Sequence, residues 1–115
     1  MVFKAHKNDI DKPRVDLIPP LTLLDIGRVL EFGANKYGAN NWRSGMNWSR
    51  LYGASLRHLL AWFGGEDKDL ESGLPHLAHA ACCLLFLMEY ETQQIGCDNR
   101  PKGRMKYHDR CHFMP

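Results

Sequence analysis

The chain has 115 residues, of which 44% are apolar and 24% charged. That is the make-up of one globular unit, not of a disordered or fibrous chain, and it leaves no room for a catalytic domain plus a regulatory one. The formal net charge of +2 is too small to make the whole protein a nucleic-acid binder on charge grounds. No apolar run approaches the roughly 18–20 residues of a membrane span, and the N-terminus lacks the apolar core of a secretory signal.

Residues 1–20 read as an extended arm. Lys12, Pro13 and Arg14, then Pro19 and Pro20, interrupt any regular helix, with Val15, Asp16, Leu17 and Ile18 as a short extended stretch between them. A first helix is expected over residues 21–37. The two prolines precede it, Thr22 is a candidate cap, and Leu23, Leu24, Ile26, Val29, Leu30 and Phe32 form its apolar stripe. Gly33 and Gly38 bracket its end. The loop that follows is rich in Asn and Gly but holds Trp42 and Trp48, so it either packs back on the core or holds a ligand.

Ser49 reads as the cap of a second helix over residues 50–63, which Gly64 and Gly65 stop. After an acidic loop, Pro75 opens a third helix reaching residue 93. Its middle is apolar almost all round, the pattern of a helix buried on several sides, and a subunit interface is expected to cover part of it. Residues 96–115 carry Arg100, Lys102, Arg104, Lys106 and Arg110. This basic tail reads either as a mobile terminus or as an arm that contacts phosphate. No strand-rich stretch is present. The expected fold is therefore all-α: a single compact antiparallel helical domain over residues 1–115, its core about 8–95, with an extended N-terminal arm and a basic C-terminal tail. The four cysteines, Cys82, Cys83, Cys97 and Cys111, include no CxxC pair. They read as reduced thiols of a cytoplasmic protein, with Cys82 and Cys83 acting as small core hydrophobes.

Two constellations carry chemistry. The first gathers Arg57 and His58, the loop carboxylates Glu66, Asp67, Asp69 and Glu71, and then His76 and His79. Helices joined by a loop of about ten residues pack antiparallel. His76 and His79, at i and i+3, share one face that His58 approaches from the preceding helix. Imidazole with carboxylate suits Mn, Co, Zn or Fe, whereas an all-carboxylate site leans to Mg. The alternative is structural, since acidic residues ahead of a helix are favoured by its dipole alone. Histidines buried without a partner, however, cost a few kcal/mol each. The second constellation is Lys36, Tyr37, Asn41, Trp42 and Arg43. Cations bind phosphate, and an aromatic face with an amide suits a nucleobase; a tryptophan packed under its loop is the competing reading. The absence of a P-loop, a GxGxxG turn and a nucleophile elbow excludes kinase, Rossmann and serine-hydrolase chemistry.

The strings Lys12-Pro13-x-x-Asp16-Leu17-Ile18-Pro19-Pro20, Phe32-Gly33-Ala34-x-Lys36-Tyr37-Gly38, Asn41-Trp42-Arg43-x-Gly45, Arg57-His58-Leu59 and Gly65-Glu66-Asp67-x-Asp69-x-Glu71-Ser72-Gly73-Leu74-Pro75-His76-Leu77-Ala78-His79-Ala80 resemble a family frequent in bacteriophages. It is the dATP/dGTP diphosphohydrolase domain family, the MazZ-type relatives of MazG-like pyrophosphohydrolases. The resemblance covers about residues 8–92. It implies an all-α, homo-oligomeric, metal-dependent enzyme that cuts purine deoxynucleoside triphosphates to the monophosphate and pyrophosphate in the host cytoplasm. MazG-like enzymes carry EExxE and ExxD metal motifs. Here His76-x-x-His79 stands at the second position and Arg57-His58 at the first, which favours a His/carboxylate site for Mn, Co or Zn over Mg alone. On this reading His58, Asp69, His76 and His79 are metal ligands, and Glu66 or Glu71 is the base. Lys36, Arg43 and Arg57 hold phosphates, while Tyr37, Asn41 and Trp42 face the nucleobase. No membrane partner is expected, and nucleic acid is not expected as one. The alternative of a different class is a non-catalytic phage protein that sequesters a nucleotide.

Overall fold

A computed structural model describes residues 5–101 and 110–113. Among them, three α-helices account for most of the ordered backbone: α1 (Pro20–Tyr37), α2 (Trp48–Phe63) and α3 (His76–Gln93). Two short 3-10 turns, Val15–Leu17 and Asn41–Ser44, precede α1 and α2. The expected extended stretch at Val15 is thus a turn, held by Ile18 N–H donating to Val15 O.

The helix ends differ from expectation in small, physical ways. Pro19 occupies the N-cap of α1 and Pro20 its first turn, so Thr22 lies inside the helix and caps nothing. Gly33 also lies inside; the helix runs on until Gly38, whose φ of +95° only glycine adopts freely. The second helix starts at Trp48 with Asn47 at its N-cap, which displaces Ser49 into the first turn. There the Ser49 N–H is satisfied from a distance, by Asn99 Oδ1 at 3.0 Å.

α3 is the central element, packed against α2 on one side and α1 on the other. Cys83 and Tyr90 of α3 join Leu51 of α2 and Ile95, with Trp42, Met46, Trp48, Phe86 and Leu87 packed around them. Ala78 and Cys82 meet Val29 of α1, flanked by Ile26 and Leu74. Small side chains at positions 78 and 82 let α1 approach closely. Two partner helices explain why the α3 sequence is apolar on more than one face. They do not cover all of it: Leu77, Leu84, Leu85 and Met88 remain open.

The fold is mainly helical, as expected, with one pair of two-residue strands in the segment after α3. Gly96–Cys97 (β1) pairs antiparallel with Cys111–His112 (β2). The same β1 backbone lies against the loop before α2, where Cys97 N–H donates to Met46 O at 3.1 Å. Gly96 (φ +77°) is required here, because a Cβ would stand 2.3 Å from Met46 O. Cys97 and Cys111 are joined by a disulfide, which corrects the reading of both as reduced thiols; Cys82 and Cys83 are free and buried, as expected. Around this strap the basic tail is partly organised. Arg100 pairs with Asp98 at 2.7 Å, while Lys102, Arg104 and Lys106 lie outside the described residues. No helix is long and apolar enough to cross a membrane among the described residues.

Candidate functional site

The loop between α2 and α3 is tied to itself before it is tied to anything else. Glu66 N–H donates to Ala61 O, Asp69 N–H to Leu74 O, Gly73 N–H to Asp69 O and His76 N–H to Asp67 O, at 2.8–3.0 Å. Asp69 accepts two further amides on its Oδ1, from Glu71 and Ser72, both at 2.9 Å. These leave Oδ2 to face His58, 4.0 Å away. The aspartate is thereby aimed by its own loop, as an Asx turn aims its carboxylate.

His58 reaches this point from α2 and His76 from the first residue of α3. Their Nδ1 atoms are 2.9 Å apart. His76 is 4% exposed, and its Nε2 donates to Glu66 Oε2 at 2.6 Å. That bond sets the tautomer: with Nε2–H given to the carboxylate, a neutral His76 presents its Nδ1 lone pair. One ligand atom from each of His58, Asp69 and His76 lies within 4.8 Å of the others.

A divalent cation fits this donor set. Two nitrogens each ~2.1 Å from one ion sit about 3.0 Å apart at an octahedral right angle and about 3.4 Å apart at the tetrahedral angle, and the 2.9 Å between the imidazoles is close to the former. A histidine ligand whose other nitrogen is held by a carboxylate is the usual outer shell of such sites, and Glu66 supplies it. Burial, with help from neighbouring His79, holds His58 below the ordinary imidazole value, and Asp69 only partly offsets this. His79 is lowered mainly by burial as well. Burial alone would raise Asp69, yet the amides of Ser72 and Glu71 and the nearby histidines keep it below the usual carboxylate range. These directions favour an uncharged His58 ring beside an ionised Asp69, the protonation a metal needs.

His79 stands apart from the triad. Its Nε2 is 2.7 Å from Ser72 Oγ, its ring stacks on His58 at 4.6 Å, and Phe32 meets it edge-on at 6.3 Å. In this geometry it packs and positions His58. Glu71 pairs with Lys36, tying the loop to α1.

The triad opens onto a cleft of about 1300 Å³. Ten of the residues singled out from the sequence line it together: Lys36, Tyr37, Asn41, Trp42, Arg43, Arg57, His58, Asp69, Glu71 and His79. Residues 36 to 79 are thus gathered around one space. His76 and Glu66 are outside that lining, the one buried and the other on its far nitrogen. Glu66 holds the His76 ring through that nitrogen. Trp42 is also already engaged. It stacks on Phe86 at 4.3 Å and carries the Arg43 guanidinium at 4.5 Å, and its carbonyl accepts from Tyr90 Oη at 2.6 Å. Tyr37 is 62% exposed, with Lys36 Nζ over its ring at 5.2 Å. Sequence reading missed Ser72, the partner of His79, and Glu89, which meets Arg43 at 3.5 Å. Ser72 lies in a short turn ahead of Gly73, and nothing local points to Glu89.

Helices enclose a cleft with imidazoles and a carboxylate on its wall and cations around it, which makes the chain a helical domain with a polar, mixed-charge cleft. The family follows from comparison. A family model described as "dATP/dGTP diphosphohydrolase, N-terminal" matches residues 4–100, and the chain belongs to that family. It is 42% identical over 94 residues to a protein named "dATP/dGTP diphosphohydrolase" from Salmonella phage PMBT28, a match spanning 82% of this chain and 32% of that protein. The chain therefore covers about a third of that relative's length. No solved structure matches it.

Proposed function

We propose that this domain hydrolyses purine deoxynucleoside triphosphates, dATP or dGTP, to the monophosphate and pyrophosphate, using a divalent cation of the Mn, Co or Zn type. The observation that carries the proposal is the His58, Asp69 and His76 donor set, with His58 and Asp69 on the wall of a cation-rich cleft and His76 buried behind them, in a chain whose relative bears the diphosphohydrolase name. A cation bound there would acidify a water and offset charge on the α-phosphate. The chain does the rest. His58 and Asp69 present ligand atoms into the cleft, and Glu66 keeps the His76 ring in register. Glu71, on the cleft wall beside Lys36, is the carboxylate that takes the proton from the attacking water. The water oxygen bonds to the α-phosphorus, the bond from that phosphorus to the bridging oxygen breaks, and pyrophosphate leaves with the electron pair. Lys36, Arg43 and Arg57 hold phosphates, while Tyr37 and Asn41 face the base.

The test is product analysis on metal-free protein with each dNTP, adding Mn, Co, Zn or Mg back singly. Release of dNMP and pyrophosphate from dATP or dGTP, lost in Asp69→Ala, is the expected result. Nucleotide binding with no turnover under any metal overturns the enzyme reading and leaves a sequestering protein.

A further inference from the structure

The cleft cations are not equivalent. Lys36 and Arg43 have carboxylate partners, Glu71 and Glu89. Arg50 and Arg57 line the same cleft and form no ion pair with any described residue. Both are on α2, seven residues apart, which is almost two full turns and puts them on one face about 10 Å apart along the axis. Between them on that face, three residues after one and four before the other, stands Gly53. A Cβ at Gly53 would lie 3.3 Å from Arg57 Nη1. The Arg57 guanidinium is therefore folded back over the glycine, toward Arg50, in the direction helical side chains lean. Glycine in mid-helix is otherwise unfavourable, and here it clears the space that the guanidinium fills. Two unpaired cations aligned on one wall repel one another unless an anion lies between them.

We propose that Arg50, Gly53 and Arg57 form a polyphosphate track along α2, with Arg57 beside His58 and Arg50 holding the terminal phosphate. This rests on the triphosphate reading above and extends it. Arg57 grips the phosphates nearest the reacting phosphorus. Arg50, in the first turn of α2 where the helix dipole also favours negative charge, grips the far end. The track distinguishes triphosphates from monophosphates by length.

The experiment is calorimetric titration of the full chain with inorganic tripolyphosphate, dATP and dAMP. Arg50→Ala is expected to weaken tripolyphosphate and dATP about tenfold while dAMP changes by less than about twofold. Gly53→Ala, which displaces the Arg57 guanidinium without removing a charge, is expected to weaken the same two ligands in a protein that melts no lower than the parent. Arg28→Ala, on α1 outside the cleft lining, is expected to leave all three unchanged. Unchanged affinities in Arg50→Ala, or an equal loss for dAMP, overturn the track. If the parent chain hydrolyses dATP and Arg50→Ala keeps the same KM and kcat, the track alone fails. If the parent chain binds neither nucleotide nor tripolyphosphate, the diphosphohydrolase reading fails with it.

Discussion

Two polar-aromatic regions flank the same cleft and are used in opposite ways. Around Trp42 the fold engages the ring on Phe86 and Arg43, the carbonyl on Tyr90 and the adjoining loop on β1. Around His58 the groups are aimed but not exhausted. Asp69 keeps an oxygen free, and two imidazoles share a single 2.9 Å contact that one proton or one cation satisfies. The comparison separates a scaffold from a binding site by asking which polar atoms have a second use. Trp42 and Asp69 look equally functional as residue types; their partners set them apart.

The contrast is broken or sharpened by substitution. The largest expected effect is on chemistry: His58→Ala should lower pyrophosphate release by roughly 1000-fold, about 4 kcal/mol of barrier, while the melting temperature stays near the parent's. Should activity survive, the triad is structural. Trp42→Ala should do the reverse, costing about 3 kcal/mol in urea unfolding because a stacked ring leaves a cavity. A loss below about 1 kcal/mol would make Trp42 a ligand platform after all. Glu66→Gln keeps the hydrogen bond but removes the charge behind His76. Metal affinity should fall about 10- to 100-fold, with nucleotide affinity in the absence of metal unchanged. The smallest effect tests the core. Burial pushes the Cys82 thiol up to about 11 and raises Cys83 as well. Neither should react with a disulfide reagent near about pH 8 in the native state. After denaturation without reductant, two thiols per chain should titrate, since Cys97 and Cys111 are bonded; four would mean that the strap is open.

Much of this was legible in the chain. The helices sit within a residue or two of their punctuation, because Pro19, Pro20, Gly38, Gly64 and Pro75 act locally. The gathering of Lys36 and Arg43 with His58 and Asp69 in one cleft follows from the helix hairpin and the short linker before it. What was not legible depends on distant partners. Ser49 loses its capping role because the helix starts at Trp48, and Asn99, 50 residues on, engages both its hydroxyl and its amide. The disulfide depends on the chain after α3 returning to Met46, which no spacing announces. Trp42 could not be assigned from its neighbours in sequence, since Phe86 and Tyr90 decide its role. Glu66 and Glu71 are interchangeable as residue types, and only position shows that one faces the cleft and the other holds His76.

The self-tied loop has a consequence for the order of assembly. His58, Asp69 and His76 span 18 residues, and their loop's own backbone hydrogen bonds reach no further than His76 to Asp67. The scaffold side needs far longer closures, 48 residues from Trp42 to Tyr90. Loop-closing entropy and folding rates both favour the short one. The α2–α3 hairpin is thus expected to reach its native geometry early, with His58 and His76 already facing one another. Helix α1, carrying Phe32 and Lys36, then docks onto a site whose geometry is in place, and the cleft is finished last by the wall that arrives from the N-terminal side.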